Sequence, residues 1–202
     1  MEYVILGAGA AGMKAAATIR KADEDGSITV VPPDTYVHSR CMLHKYLSGE
    51  RDEKQLDFVE EDFFEKNRIR WIAGKTAGKL DTKEKTVILD NGEVLNYDKL
   101  LIATGAESFI PPVGNLREAE NVFGLRHLRD AQAIRKMAEK AENIVIIGSG
   151  LVGLDAAYGL METGKKVSIV EMAEQILPVQ LDKTGAAEYQ KRFEAAGAVF
   201  YL

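Results

Sequence analysis

The sequence predicts an α/β protein made of two Rossmann-like βαβ dinucleotide-binding units, the first with an inserted β-meander. Three observations lead there. The stretch VILGAGAAGMKAA at 4–16 returns as VIIGSGLVGLDAA at 145–157, 141 positions later. Each copy follows a short apolar run and leads into small, helix-forming residues without proline. Between the copies, the spacing of apolar residues changes from helical to alternating.

The elements come in this order. The first unit predicts a strand at 3–6, a helix at about 10–22 and a strand at 28–31, with Asp23-Glu24-Asp25-Gly26 as the turn between helix and second strand. Residues 43–66 read as short helices, with Phe58, Phe63 and Phe64 as core candidates. IRWIAG, GKLDT and TVILDNGEVLNYD then alternate, and Asn91-Gly92 signals a hairpin. LLIATG at 100–105 reads as a buried strand. The paired prolines of IPPVG at 110–114 mark the linker, so the boundary is placed between 112 and 113. A helix is expected at about 129–141. The second unit then repeats the plan: strand 144–147, helix 152–163, strand 167–170, helix about 182–196 and strand 198–202.

Bulk properties exclude several classes. With 202 residues the chain has room for one large or two small domains. A net charge of −5 argues against a nucleic-acid surface. Acid is densest at 50–65, with eight Asp/Glu against two Lys/Arg, which reads as a solvated face or as a dock for a basic partner. Cys41 is the only cysteine, so no intrachain disulfide is expected and a reducing, cytoplasmic setting fits. The longest apolar stretch, 144–154, holds three glycines and ends at Asp155, which is too short for a membrane span. No signal peptide is expected, because the first motif begins almost at once. Three histidines and one cysteine without ligand spacing predict no metal site.

A lone G-x-G-x-x-G is a weak signal; strand, glycine turn and helix start in order, twice, is a strong one. A helix start offers unpaired N–H groups and partial positive charge, which together hold a pyrophosphate. In the first loop the binding residues are Gly7, Gly9, Ala10, Ala11 and Gly12; in the second, Gly148, Gly150, Leu151, Val152 and Gly153. The third glycine of each loop lets the helix pack on the strand. Glu171 lies 18 residues past Gly153 at the end of VSIV, where a carboxylate accepts ribose hydroxyls and repels a 2′-phosphate. The second nucleotide is therefore read as NADH. After ITVV the matching position is Pro32, and Asp34, two residues on, either turns back to a ribose or begins a turn.

Two dinucleotide loops, with YDKLLIATGA at 97–106 and VFGLRHLRDAQAIR at 122–135, make the chain resemble the flavin-dependent pyridine nucleotide–disulfide oxidoreductases. The nearest branches are NADH oxidases, NADH:rubredoxin or ferredoxin reductases and FAD-containing nitrite reductase subunits. The resemblance covers the whole chain. It implies that 1–112 is the N-terminal part of an FAD-binding domain and 113–202 an incomplete NAD-binding domain. FAD would sit on the first loop, with Ala103, Thr104 and Gly105 closing over it and Arg126 nearby; NADH would sit on the second. Family chains are longer, so the resemblance implies a chain truncated at its C-terminus. They continue to a Gly-Asp motif on the flavin side and to an interface domain that makes the full-length form a homodimer.

SRCMLHKYLSG at 39–49 lies where family members face the flavin ring. Arg40, Leu43 and Lys45 match the ferredoxin-reductase branch, and Cys41 matches the redox cysteine of the oxidase, peroxidase and coenzyme A disulfide reductase branch. A thiol beside Arg40 and Lys45 would gain thiolate character; alternatively Cys41 is a small buried filler. Ala10 stands where peroxidase-type members carry a histidine. His38 and His44, flanking this site, are acids or surface residues. The ferredoxin-reductase branch also implies that Lys45 pairs with Asp155 near the nicotinamide; alternatively Asp155 caps its helix.

The function these readings predict is an FAD-dependent oxidoreductase. It takes hydride from NADH and passes electrons to oxygen, a small redox protein or a disulfide, with no nucleic-acid or membrane partner. The alternatives are a non-catalytic nucleotide-binding fragment and a coenzyme A disulfide reductase type of thiol enzyme using Cys41.

Overall fold

The computed structural model describes residues 1–202. In chain order the elements are β1 (Glu2–Leu6), α1 (Ala10–Ala22), β2 (Ser27–Val31), α2 (Leu43–Leu47), α3 (Phe63–Lys66), β3 (Ile69–Trp71), β4 (Ala77–Asp81), β5 (Thr86–Leu89), β6 (Val94–Asn96) and β7 (Lys99–Ile102). They continue with α4 (Leu128–Ala138), β8 (Asn143–Ile147), α5 (Leu151–Met161), β9 (Lys166–Val170), α6 (Lys183–Ala195) and β10 (Val199–Tyr201). Both expected βαβ units are present within a residue or two of the predicted bounds.

The chain forms two compact units, Met1–Ser39 with Asp57–Ala106, and Arg40–Leu56 with Glu107–Leu202. This differs from the division expected at 112/113, with 40–56 in the first half. The segment 40–56 instead belongs to the second unit because Leu43, Leu47 and Leu56 are buried in that unit's core.

In the first unit a parallel sheet runs β3-β2-β1-β7 and a three-stranded antiparallel sheet runs β4-β5-β6. Alternation along β1 shows how the sheet is covered. Val4 and Leu6 pack with Val87, Leu89 and Leu95 of the meander, while Ile5 packs with Met13 and Ala16 of α1. The hairpin turns at Asn91-Gly92, where Gly92 has φ +84°. The turn after α1 is fixed by Asp23, whose Oδ1 accepts the Gly26 N–H at 2.8 Å, and by Arg20, which donates to the Asp23, Glu24 and Gly26 carbonyls.

Two expectations are corrected here. Phe58 is exposed, and only Phe63 and Phe64 pack against the α1-side core, where Phe64 also meets Trp71 edge-on. The strand at 100–105 ends at Ile102, and Leu101 and Ile102 are exposed, not buried. β7 is a sheet edge, so it lacks the second neighbour that would enclose it.

In the second unit the parallel sheet runs β10-β9-β8. Val167 and Ile169 point into a core shared with Leu154, Ala157 and Leu160 of α5. The opposite face of the sheet is open: Val145, Ile147, Val170, Val199 and Tyr201 are all exposed. α2 lies against α5 so closely that a Cβ on Gly159 would stand 2.5 Å from the His44 carbonyl oxygen. No helix is long and apolar enough to cross a membrane.

Candidate functional site

Both glycine loops are built alike. Gly7 follows β1 with φ +104°, and Gly148 follows β8 with φ +98°, a region open to glycine. Their N–H groups donate to the last residue of the neighbouring strand, Val31 at 2.9 Å and Val170 at 2.8 Å. The third glycines are sterically required. A Cβ on Gly12 would lie 2.1 Å from the Gly7 carbonyl oxygen, and one on Gly153 would lie 2.2 Å from that of Gly148. In the first unit the segment from Ala103 also closes on the loop, since a Cβ on Gly7 would lie 2.4 Å from the Ala103 oxygen. Thr104 and Gly105 beside it are exposed.

The helix starts are suited to an anion. Gly9 and Gly150 are the N-caps of α1 and α5, neither offers a side-chain cap, and neither helix has an acidic residue in its first turn. The amides from Ala10, Ala11 and Gly12, and from Leu151, Val152 and Gly153, thus head helices of 13 and 11 residues with no internal acceptor. Apart from Gly150 itself and its chain neighbours, no protein atom lies within 4 Å of where a Cβ on Gly150 would stand. That is the open approach a pyrophosphate needs.

Beyond the second strand of each unit the two loops part ways. Glu171, after β9, turns back on the second glycine loop. Its Oε2 accepts the Ser149 N–H and the Ser149 hydroxyl, each at 2.8 Å, and its Oε1 accepts the Met172 and Ala173 N–H groups at 2.8 and 3.0 Å. Burial pushes this carboxyl up, but the hydrogen bonds from Ser149, Ala173 and Met172 outweigh it and hold it below the usual carboxylate range. The Ser149 carbonyl also accepts from the Leu177 N–H at 3.2 Å, tying down the loop that leads to α6. Leu177 is buried with φ +47°, an uncommon backbone for a branched residue, held by its burial. In the first unit Pro32 is buried at the matching place, and half-buried Asp34 lies with a carboxylate oxygen within 4.8 Å of a His38 ring nitrogen.

The segment at 40–56 corrects several expectations. Arg40–Met42 forms a 3₁₀ turn ahead of α2, Arg40 is half-buried, and Cys41 is exposed, so Cys41 is not a buried filler. Lys45 takes Glu50 as its ion-pair partner at 2.5 Å and lies 5.7 Å from the centre of the Tyr158 ring. The Glu50 carboxylate holds the Lys45 ammonium above the usual lysine range. Asp155 instead faces His44, with Nδ1 to Oδ2 at 3.9 Å. The expected Lys45–Asp155 ion pair is thus replaced by two others, because the chain turns at Ser48-Gly49 and brings Glu50 back over Lys45. Asp155 does not cap α5; that place is held by Gly150, and Asp155 is the fifth residue of the helix. His38 is buried and His44 half-buried, so neither is a surface residue.

His127 escaped the sequence reading. It is buried at the start of α4, with Nε2 at 3.0 Å from both oxygens of Glu107. Asp130 Oδ2 accepts the Arg126 and His127 N–H groups at 3.0 and 2.8 Å, so it fixes the backbone that carries half-buried Arg126. Asp130, three residues past the N-cap, was the available signal.

Two such glycine loops on parallel βαβ units, one closed by a carboxylate, define a two-dinucleotide oxidoreductase fold. Comparison with known proteins makes this specific. The chain belongs to the pyridine nucleotide-disulphide oxidoreductase family, whose profile matches residues 1–202. The family's members are flavin-dependent NAD(P)H oxidoreductases that use FAD and NADH. The chain is 36% identical to an NADH oxidase of Methanocaldococcus jannaschii over 98% of its own length and 46% of the relative's. It is 32% identical to a nitrite reductase [NAD(P)H] of Bacillus subtilis, covering all of this chain and 25% of that protein. Among solved structures it matches a NAD-dependent persulfide reductase from A. fulgidus with a TM-score of 0.89 at 35% identity, over 100% of this chain and 39% of that one. The chain thus spans about a quarter to a half of the length of these relatives.

Proposed function

We propose that this chain carries the two nucleotide sites of an FAD-dependent NADH oxidoreductase, with FAD on the Gly7–Gly12 loop and NADH on the Gly148–Gly153 loop. The observation that carries the reading is the duplicated loop geometry, joined to a carboxylate at the second loop alone. Hydride and electron transfer are the chemistry of the bound flavin and nicotinamide. The chain's own part is binding and orientation. The first turns of α1 and α5 take up pyrophosphate charge, Ala103, Thr104 and Gly105 border the first loop, and Glu171 reads the ribose and rejects a 2′-phosphate. The electron acceptor is oxygen, a small redox protein or a disulfide.

The exposed thiol of Cys41 favours a disulfide or persulfide as the particular acceptor, and the persulfide reductase among the similar structures supports that choice. The full-length form is read as a homodimer working in the cytoplasm. The test is reconstitution with FAD. Loaded protein should show a flavin spectrum that bleaches on anaerobic addition of NADH, and a Cys41→Ser variant should still bleach but lose reduction of a disulfide substrate. A chain that binds neither nucleotide contradicts the reading, and an unchanged Cys41→Ser variant removes the thiol route.

A further inference from the structure

The carboxylate at the ribose-reading position already has its acceptor positions filled. An ionised carboxylate offers about four lone-pair positions. Glu171 receives four donors from the protein itself, two on Oε2 from Ser149 and two on Oε1 from Met172 and Ala173. A ribose hydroxyl that binds Glu171 therefore has to take a position from one of them.

The four donors are not equivalent. Three are backbone N–H groups, fixed by the glycine loop and by the turn after β9, and they cannot withdraw unless the chain moves. The fourth is the Ser149 hydroxyl, which leaves by rotation about one side-chain bond. The first unit supplies an internal comparison. There the residue matching Ser149 is Ala8 and the residue matching Glu171 is Pro32, so hydroxyl and carboxylate are both absent from the same frame.

We propose that the Ser149 hydroxyl is an internal stand-in for a ribose hydroxyl, holding a position on Glu171 Oε2 in the free protein and yielding it when the adenosine ribose of NADH binds. The inference rests on the assignment of NADH to the second loop. Its consequence runs against ordinary expectation for a site residue. Ser149 is fully buried, so its displaced hydroxyl stays out of water, and a buried donor that loses its acceptor is costly. Ser149 therefore weakens nucleotide binding and speeds release, while its own donor completes the hydrogen bonding of the carboxylate.

Ser149→Ala isolates this effect, because it deletes the hydroxyl and leaves the Ser149 N–H and carbonyl in place. The test is calorimetric titration of the chain with ADP-ribose, which carries the adenosine ribose and pyrophosphate without the nicotinamide. Ser149→Ala should bind ADP-ribose about three- to tenfold more tightly than the unmodified chain. The same variant should melt at a lower temperature without ligand, since it has lost an internal hydrogen bond. In a Glu171→Ala background, Ser149→Ala should leave ADP-ribose affinity unchanged. A serine with a purely structural role would lower melting temperature and affinity together. Unchanged or weaker binding by Ser149→Ala overturns the inference while the nucleotide site stands. Failure of the unmodified chain itself to bind ADP-ribose removes the NADH assignment, and the inference with it.

Discussion

The two glycine loops share a backbone and differ in side chains. Gly7 and Gly148 have φ of +104° and +98°, and a Cβ on Gly12 or Gly153 would collide with its loop at 2.1 or 2.2 Å. Against that common frame, the first loop pairs Ala8 with Pro32, and the second pairs Ser149 with Glu171. On the proposed reading, the backbone frame would set where a pyrophosphate is held, and the residue after the second strand would set which nucleotide is read. The sheets differ as well. The parallel sheet of the first unit is covered by α1 on one side and the meander on the other, whereas that of the second shows an apolar face to solvent.

The largest effect should come from making one loop unlike the other. Gly9→Val places a branched side chain at the N-cap of α1, where a pyrophosphate would approach on the proposed reading. It should abolish flavin binding and leave ADP-ribose binding at the second loop intact, as read by flavin titration beside calorimetry. Normal flavin affinity would make the first loop merely structural. Gly153→Ala should act on stability as well as binding. Its new methyl meets a backbone oxygen that cannot give way, so overpacking of about 1–3 kcal/mol is expected in denaturant melts, with loss of ADP-ribose binding.

A smaller effect concerns pH. Glu171 is held below its ordinary value, so its contribution to stability is present above the unfolded carboxyl pKa of about 4.3 and is lost as pH falls through the lower folded value. The difference in urea midpoint between the unmodified chain and Glu171→Gln should stay constant from pH 8 to about pH 5 and shrink only below that. A difference that had vanished by pH 6 would mean that the carboxyl is not held in its ionised form. The smallest effect is expected at Lys45. Its partner Glu50 is exposed, so Lys45→Met should leave the urea midpoint almost unchanged in the same melts. A larger loss would show that the Lys45–Tyr158 contact supports the packing of α2 on α5.

The legible part of the fold was the part with local signals. Strand, glycine turn and helix are written in consecutive residues, and so is the Asn91-Gly92 hairpin. Glu171 was found by counting along the chain. Features that depend on neighbours distant in sequence were not legible. Nothing local says that Leu43, Leu47 and Leu56 pack into the second unit's core, that β7 is an edge, or that Phe58 faces solvent. The pairing of Lys45 was misread because a resemblance supplied a partner 110 positions away, while the turn at Ser48-Gly49 supplied one five positions away. Ser149 was passed over because the middle positions of a glycine loop are read as spacers; a hydroxyl there together with an acid after the next strand is the signal to seek.

The measurement that bears most directly on the central claim is the ratio of NADH to NADPH affinity. If Glu171 reads the adenosine ribose, the unmodified chain should bind NADH at least about tenfold better than NADPH, a difference of about 1.4 kcal/mol. Glu171→Ala should narrow the gap. Equal affinity of the unmodified chain for both nucleotides would contradict the account.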